Sequence, residues 1–213
     1  MPQIDKISGL IKRIKHREPL LVILSGPSGV GKDAAIDALK KRNGNLCHII
    51  TVTTRKKRPN EIDGTHYHFV DKADFQKKIR AGKFLEWAKV YGNYYGVPLD
   101  SVKQAIKHNK TAIIKVDVQG TKTIKSIIPE AIYIFLTPSS IRDLNQRLVK
   151  RDKTFKKDFN LRLSKAHEEI DYLPLFDYVI ENKRNNLDYA VSRIMSILET
   201  ERCRVKPRKI TIN

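Results

Sequence analysis

Cysteine is nearly absent from this sequence. Cys47 and Cys203 are the only two in 213 residues, far apart and without metal-ligand spacing, which argues against a disulfide framework or a zinc site. Long apolar runs are missing too: no stretch approaches the roughly 18 to 20 residues that span a bilayer. The opening MPQIDKISGLIKRIKHREP breaks every apolar segment with Lys or Arg. Neither a membrane span nor a signal peptide is expected, and a reducing cytoplasm is the natural compartment. Acidic residues are scarce, 23 against 42 Lys and Arg, for a net charge of +19. Such a balance suits nucleic acid, phosphorylated small molecules or simply a basic proteome. The basic residues are scattered and accompany no nucleic-acid module, so no specific nucleic-acid partner is expected. There is no internal repeat and no His, Ser or Cys arrangement for nucleophilic catalysis.

What is present supports a packed core, with 40% hydrophobic residues, while 31% charged residues and a mean hydropathy of -0.44 argue for a soluble protein. The length fits one domain with inserted segments. Leu20–Leu24 is a short apolar run that ends at Ser25-Gly26-Pro27-Ser28-Gly29 and is followed by a helical stretch over 32–41. Similar runs recur at Ala112–Ile114, Ala131–Leu136 and Tyr178–Ile180, the pattern of a parallel sheet covered by helices on both faces. Asp100 is placed to cap a helix carrying Val102, Ala105 and Ile106, and a last helix puts Leu187, Ala190, Val191, Ile194, Ile197 and Leu198 on one face. The fold class is therefore α/β, with a core over about 19–50, 99–145 and 161–198. Residues 51–98 interleave aromatic and polar residues around Gly64, Gly82, Gly92 and Gly96, and read as an inserted β-rich flap with a helix capped by Asp71. The dense basic stretch RLVKRDKTFKKDFNLR suggests a lid over about 146–160. A basic helix is expected over 1–17 and a tail over 203–213, neither with recognisable chemistry.

The segment Gly26-Pro27-Ser28-Gly29-Val30-Gly31-Lys32 matches the phosphate-binding loop GxxxxGK, between strand and helix as that motif requires. Its glycines let backbone N–H groups turn toward phosphate oxygens, the helix N-terminus adds its dipole, and Lys32 reaches the β- and γ-phosphates. A nucleoside triphosphate is implied, with Mg²⁺. The residue after Lys32 is Asp33, where a Ser or Thr normally holds the metal.

GPSGVGK followed by TTRKKRPNEIDGTHYHF, FLEWA, GNYYG and KVDVQG resembles the guanylate kinases along about residues 19–198. The resemblance implies a P-loop core with a GMP-binding flap and a lid, and transfer of the γ-phosphate of ATP to GMP or dGMP. It places the acceptor's phosphate on Arg55, Arg58, Tyr67 and Tyr95, and a base-contacting hydroxyl on Thr51. Two Arg forks suit bidentate phosphate binding, whereas Thr51 alone reads as well as a packed residue. Glu86, among apolar neighbours, needs a partner, and the N1–H and N2 amine of guanine supply a matching donor pair. The family's second acid falls on Asp117. Arg147, Arg151 and Arg162 stand at its spacing for arginines around the transferring phosphoryl, although a basic helix face explains Arg151 too. Asn182 matches the adenine-side position or ends a strand as a turn residue. Val97 falls where the family usually has a Ser or Thr near the base, so one hydroxyl contact fewer is expected. Two rivals remain: a non-catalytic guanylate-kinase-like domain that binds protein, and a P-loop kinase for another phosphorylated acceptor. Monomer and homodimer are both open.

Two departures from the family pattern are linked by charge. Related enzymes typically carry a neutral hydroxyl at position 33 and an acid at position 115, where this sequence has Asp33 and Lys115. Asp33 is therefore expected to contact Mg²⁺ while Lys115 pairs with Asp33 or with the phosphates; an accidental pair of substitutions is the alternative.

Overall fold

A computed structural model describes residues 18–59, 61–90, 92–151 and 168–212, together with 8 and 11. Its centre is a five-stranded sheet in which every neighbouring pair is parallel. In chain order the first strands and helix are β1 (Leu20–Ser25), α1 (Lys32–Arg42) and β2 (Leu46–Ile49). Then come β3 (Val52–Thr53), β4 (His68–Phe69), α2 (Lys72–Arg80), β5 (Phe84–Val90) and β6 (Asn93–Pro98). The rest is α3 (Leu99–Lys107), β7 (Thr111–Lys115), α4 (Val118–Ile127), β8 (Ile132–Pro138), α5 (Ile141–Arg151), β9 (Tyr178–Asn182) and α6 (Leu187–Arg202), with a 3-10 helix over Glu169–Leu175. The sheet order is β2-β7-β1-β8-β9.

β1 is the central strand, and the alternation of its side chains builds both halves of the core. Leu20, Val22 and Leu24 face one layer, where Ala35, Ile36 and Leu39 of α1 meet Ala190, Val191, Ile194 and Leu198 of α6. Leu21 and Ile23 face the other, with Val102 and Ala105 of α3 and Ile124 of α4. Each such Leu, Ile or Val contributes about 1.5–3 kcal/mol on full burial, so an uninterrupted apolar run is what a strand covered on both faces needs. Among the described residues no helix is long and apolar enough to cross a membrane.

The second sheet has the order β4-β3-β6-β5 and lies within residues 52–98. Phe75 of α2 is fully buried and stacks on Phe84 and Tyr94, at 4.6 and 5.4 Å between centroids. Asp71 caps α2 by accepting from the Asp74 N–H at 2.7 Å.

One sequence expectation about the fold changes. Asp100 does not cap α3: Pro98 occupies the N-cap, its fixed φ already suited to the entry, and Asp100 pairs with Lys83 at 3.6 Å. Of the lid expected over about 146–160, residues 146–151 lie in α5 and 152–160 lie outside the described residues, as does most of 1–17. The 203–212 tail is docked, with Ile210 and Ile212 packed against the second core layer.

Candidate active site

The loop between β1 and α1 is shaped by close approaches that only glycine allows. Gly26 has φ 135°, and a Cβ there would fall 2.1 Å from the Leu136 carbonyl oxygen. Gly31, the N-cap of α1, has φ 102°, and its Cβ would fall 2.5 Å from Asn182 Nδ2. Lys32 folds back over the loop and donates to the carbonyl oxygens of Gly26 and of Pro27, the latter at 3.1 Å. Burial holds its pKa below the usual lysine value.

Arg147 of α5 and Asn182 of β9 brace this loop. Both donate to the Val30 carbonyl oxygen, Arg147 Nη1 at 2.9 Å and Asn182 Nδ2 at 2.7 Å. Arg147 also donates to Asn182 O at 2.8 Å and is held by Asp143 through a 3.0 Å hydrogen bond and a 2.8 Å ion pair. Asn182 is the last residue of β9 and buried, so it is a strand residue and not a turn. Arg147, expected at the transferring phosphoryl, has its guanidinium already committed to the loop carbonyl.

One residue after Lys32, the Asp33 carboxylate accepts from Lys115 Nζ at the carboxyl end of β7. Lys115 Nζ also lies 4.2 Å from the centroid of the Tyr67 ring. Burial would lower the Lys115 pKa, but its interactions with Tyr67 and Asp33 outweigh this and leave it raised. The Asp33 pairing expected for Lys115 is present.

Across the site, Arg55 makes bonds of 2.6 and 2.9 Å to the two oxygens of Glu61, and the Arg58 N–H donates to Glu61 at 2.9 Å. Glu61 lies within the segment TTRKKRPNEIDGTHYHF but has no role assigned from the sequence; here it holds the Arg55 guanidinium and the Arg58 backbone, with the Arg58 guanidinium 3.6 Å away. Burial raises its pKa, but the hydrogen bonds from Arg55 and from the Arg58 backbone leave it lowered. Arg55 Cζ lies 5.4 Å from the Tyr67 ring centroid, and Tyr67 meets Tyr95 edge-on at 6.0 Å. The structure therefore brings Arg55, Arg58, Tyr67 and Tyr95 into one cradle, next to the Lys115 ammonium.

The third part of the site is a pair of carboxylates at the start of α4. Asp117 is the α4 N-cap and accepts from the Gly120 N–H at 2.9 Å. Glu86 of β5 is 4% exposed, and a Cβ on Gly120 would fall 3.1 Å from its carboxylate atoms. Burial, with Asp117 nearby, pushes the Glu86 pKa up to about 8. Among the described residues its Oε2 is buried without a hydrogen-bond partner, as is the hydroxyl of Thr51. Val97, paired with Glu86 across the sheet, is fully buried in the second core layer. Its side chain is therefore part of that apolar packing.

A family model described as guanylate kinase matches residues 18–201. The chain belongs to the guanylate kinase family. It is 39% identical over 191 residues to the guanylate kinase of Shouchella clausii, covering 90% of this chain and 92% of the relative. With the guanylate kinase of Carboxydothermus hydrogenoformans the identity is 40%, again over 90% and 92% of the two chains. The crystal structure of guanylate kinase from Anaplasma phagocytophilum superposes with a TM-score of 0.73 at 28% identity, covering 89% of this chain and 88% of that one.

Two arginines suggested by the family pattern are not placed in this geometry: Arg162 lies outside the described residues, and so does the side chain of Arg151. Among the described residues no three His, Cys, Asp or Glu side chains gather as a protein-only metal site. Asp33 is the carboxylate next to the loop lysine, with a side chain 59% exposed and one oxygen paired with Lys115. A Mg²⁺ site needs no more from the protein, because this ion takes one or two carboxylates and completes its shell with phosphate and water.

Proposed function

We propose that this chain transfers the γ-phosphate of ATP to GMP, and to dGMP, giving ADP and the nucleoside diphosphate. The observation that carries this reading is Glu86: a buried carboxyl with an unpartnered oxygen, packed against the start of α4 that Asp117 caps. Guanine presents N1–H and the N2 amine on one edge, and these donors would satisfy that carboxylate. Adenine lacks this pair and would leave buried polar groups unmatched.

The Gly26–Gly31 backbone and the N-terminus of α1 favour the triphosphate, and Lys32 would exchange loop carbonyls for phosphate oxygens. Arg55 and Arg58 receive the GMP phosphate, with Glu61 presenting their guanidinium groups and Tyr67 and Tyr95 closing the cradle. Asp33 would offer one oxygen to a Mg²⁺ ion bound with ATP, which would supply neutralising charge at the phosphates. Charge on the transferring phosphoryl spreads over three equatorial oxygens, so fixed cations lower the barrier without a covalent intermediate. Arg151 and Arg162 are candidates for that task from the lid side. Arg147 contributes by fixing the donor loop. The insertion over 51–98 serves as the GMP-binding flap, and its closure with the lid over 146–160 would keep water from accepting the phosphoryl group.

A sugar-phosphate kinase would leave Glu86 without a purpose, and a purely protein-binding domain would leave the loop and Lys32 without one. ADP formation followed with ATP, Mg²⁺ and GMP tests the reading. GMP-dependent turnover supports it, and none at any GMP concentration would sink it.

A further inference from the structure

The ammonium of Lys115 sits where the donor and acceptor halves of the site meet, and the two substrate-binding roles do not account for it. It touches one group from each half. Asp33 follows the loop lysine on the donor side, while the Tyr67 ring, 4.2 Å away, shares the acceptor cradle with Arg55. The two partners of the ion pair are unequal: the Lys115 side chain is 5% exposed and that of Asp33 is 59% exposed. A buried ammonium must keep an anion, because leaving it unpaired is costly. An exposed carboxylate loses little by returning to water. His48 on the adjacent strand offers no substitute, because an imidazole carries no negative charge in either protonation state. Lys115 is thus held by a partner that a more highly charged anion can replace, at a point between two phosphate-binding cradles.

We propose that Lys115 couples the two nucleotide sites: its ammonium passes from Asp33 to phosphate oxygens of donor and acceptor, so that each nucleotide tightens the binding of the other. The inference rests on the reading of this site as one for ATP and GMP. It involves exchange of hydrogen-bond partners only, and the coupling is reciprocal by thermodynamic necessity.

Isothermal calorimetry of GMP, alone and with a saturating non-hydrolysable ATP analogue plus Mg²⁺, tests it on the wild type, K115M, K115R and the double variant D33S/K115M. In the wild type the analogue should tighten GMP by about tenfold. K115M should reduce that factor to about twofold or less, while K115R, which keeps a cation, should retain most of it. D33S/K115M removes both charges, leaves no unpaired group, and should behave as K115M does even if the single variant folds poorly. Full coupling in K115M or in the double variant, or none in the wild type, would overturn the proposal. A wild type that binds no GMP under any condition would instead remove the functional reading beneath it, and the proposal with it.

Discussion

Gly120 on α4 and Glu86 on β5 are packed so closely that a methyl group on the glycine would fall 3.1 Å from the carboxylate carbon and both oxygens. Because the Gly120 N–H is also bound to Asp117, this backbone segment sets the positions of both acids. In an ordinary helix Gly→Ala stabilises by about 0.5–1 kcal/mol. Here Gly120→Ala should gain little stability and should displace Glu86, weakening GMP about tenfold, or ~1.4 kcal/mol. Unchanged GMP affinity would mean that Glu86 is not held against α4 for base reading.

The raised Glu86 pKa gives a pH dependence of definite sign. Its folded value of about 8 exceeds its ordinary 4.5. The neutral carboxyl therefore contributes stability fully below the unfolded value and loses it as pH rises through the folded one. Wild-type stability should fall relative to Glu86→Gln over that interval, measured by urea unfolding of both. GMP should act oppositely, since its donors favour the ionised form: near pH 7 binding should release about one proton, read by calorimetry in buffers of different ionisation enthalpy. Equal proton release by Glu86→Gln would assign that proton elsewhere.

Asp33 and Lys115 should behave as an exchanged pair in turnover. Asp33→Ser leaves a buried ammonium unpaired, and Lys115→Glu puts two carboxylates beside the triphosphate, so each should be damaging. The double variant restores one hydroxyl and one acid and should recover much of the Mg²⁺-dependent rate. Strictly additive losses in a double-mutant cycle would dismiss the exchange.

The C-terminal tail should be a stability element. Arg208 grips the buried Glu201 with bonds of 2.8 and 3.0 Å and donates to the Ala131 carbonyl oxygen at 3.1 Å. Its bonds are the largest influence holding the Glu201 pKa low. Arg208→Ala should cost about 3 kcal/mol in urea unfolding, the usual penalty for breaking a buried pair. Turnover of the folded fraction should stay near that of the wild type; a loss below about 1 kcal/mol would make the tail contact incidental.

Legibility in the sequence follows how local each signal is. β1, the glycine loop and Lys32 could be read because apolar run, turn and helix adjoin in the chain, and Asp71 because its cap bond spans three residues. Asp100 was misplaced because the preceding proline already sets the helix entry. Tertiary partners left no local mark: Arg147 and Asn182 meet the Val30 carbonyl from 117 and 152 residues away. Arg208 of the tail meets Ala131 from 77 residues away, so nothing near it announced a docked segment. The Lys115–Asp33 contact, 82 residues apart, was legible only as a complementary pair of departures from a family pattern.

The central claim is the choice of guanine, and a panel of acceptors with ATP and Mg²⁺ tests it most directly. GMP, dGMP, AMP and ribose 5-phosphate are supplied in turn and the phosphorylated products separated. The account predicts GDP and dGDP, with kcat/KM for AMP lower by about 10⁴-fold or more, as expected where buried polar groups are left unpaired by the wrong base. Comparable turnover of AMP or of the sugar phosphate would contradict it.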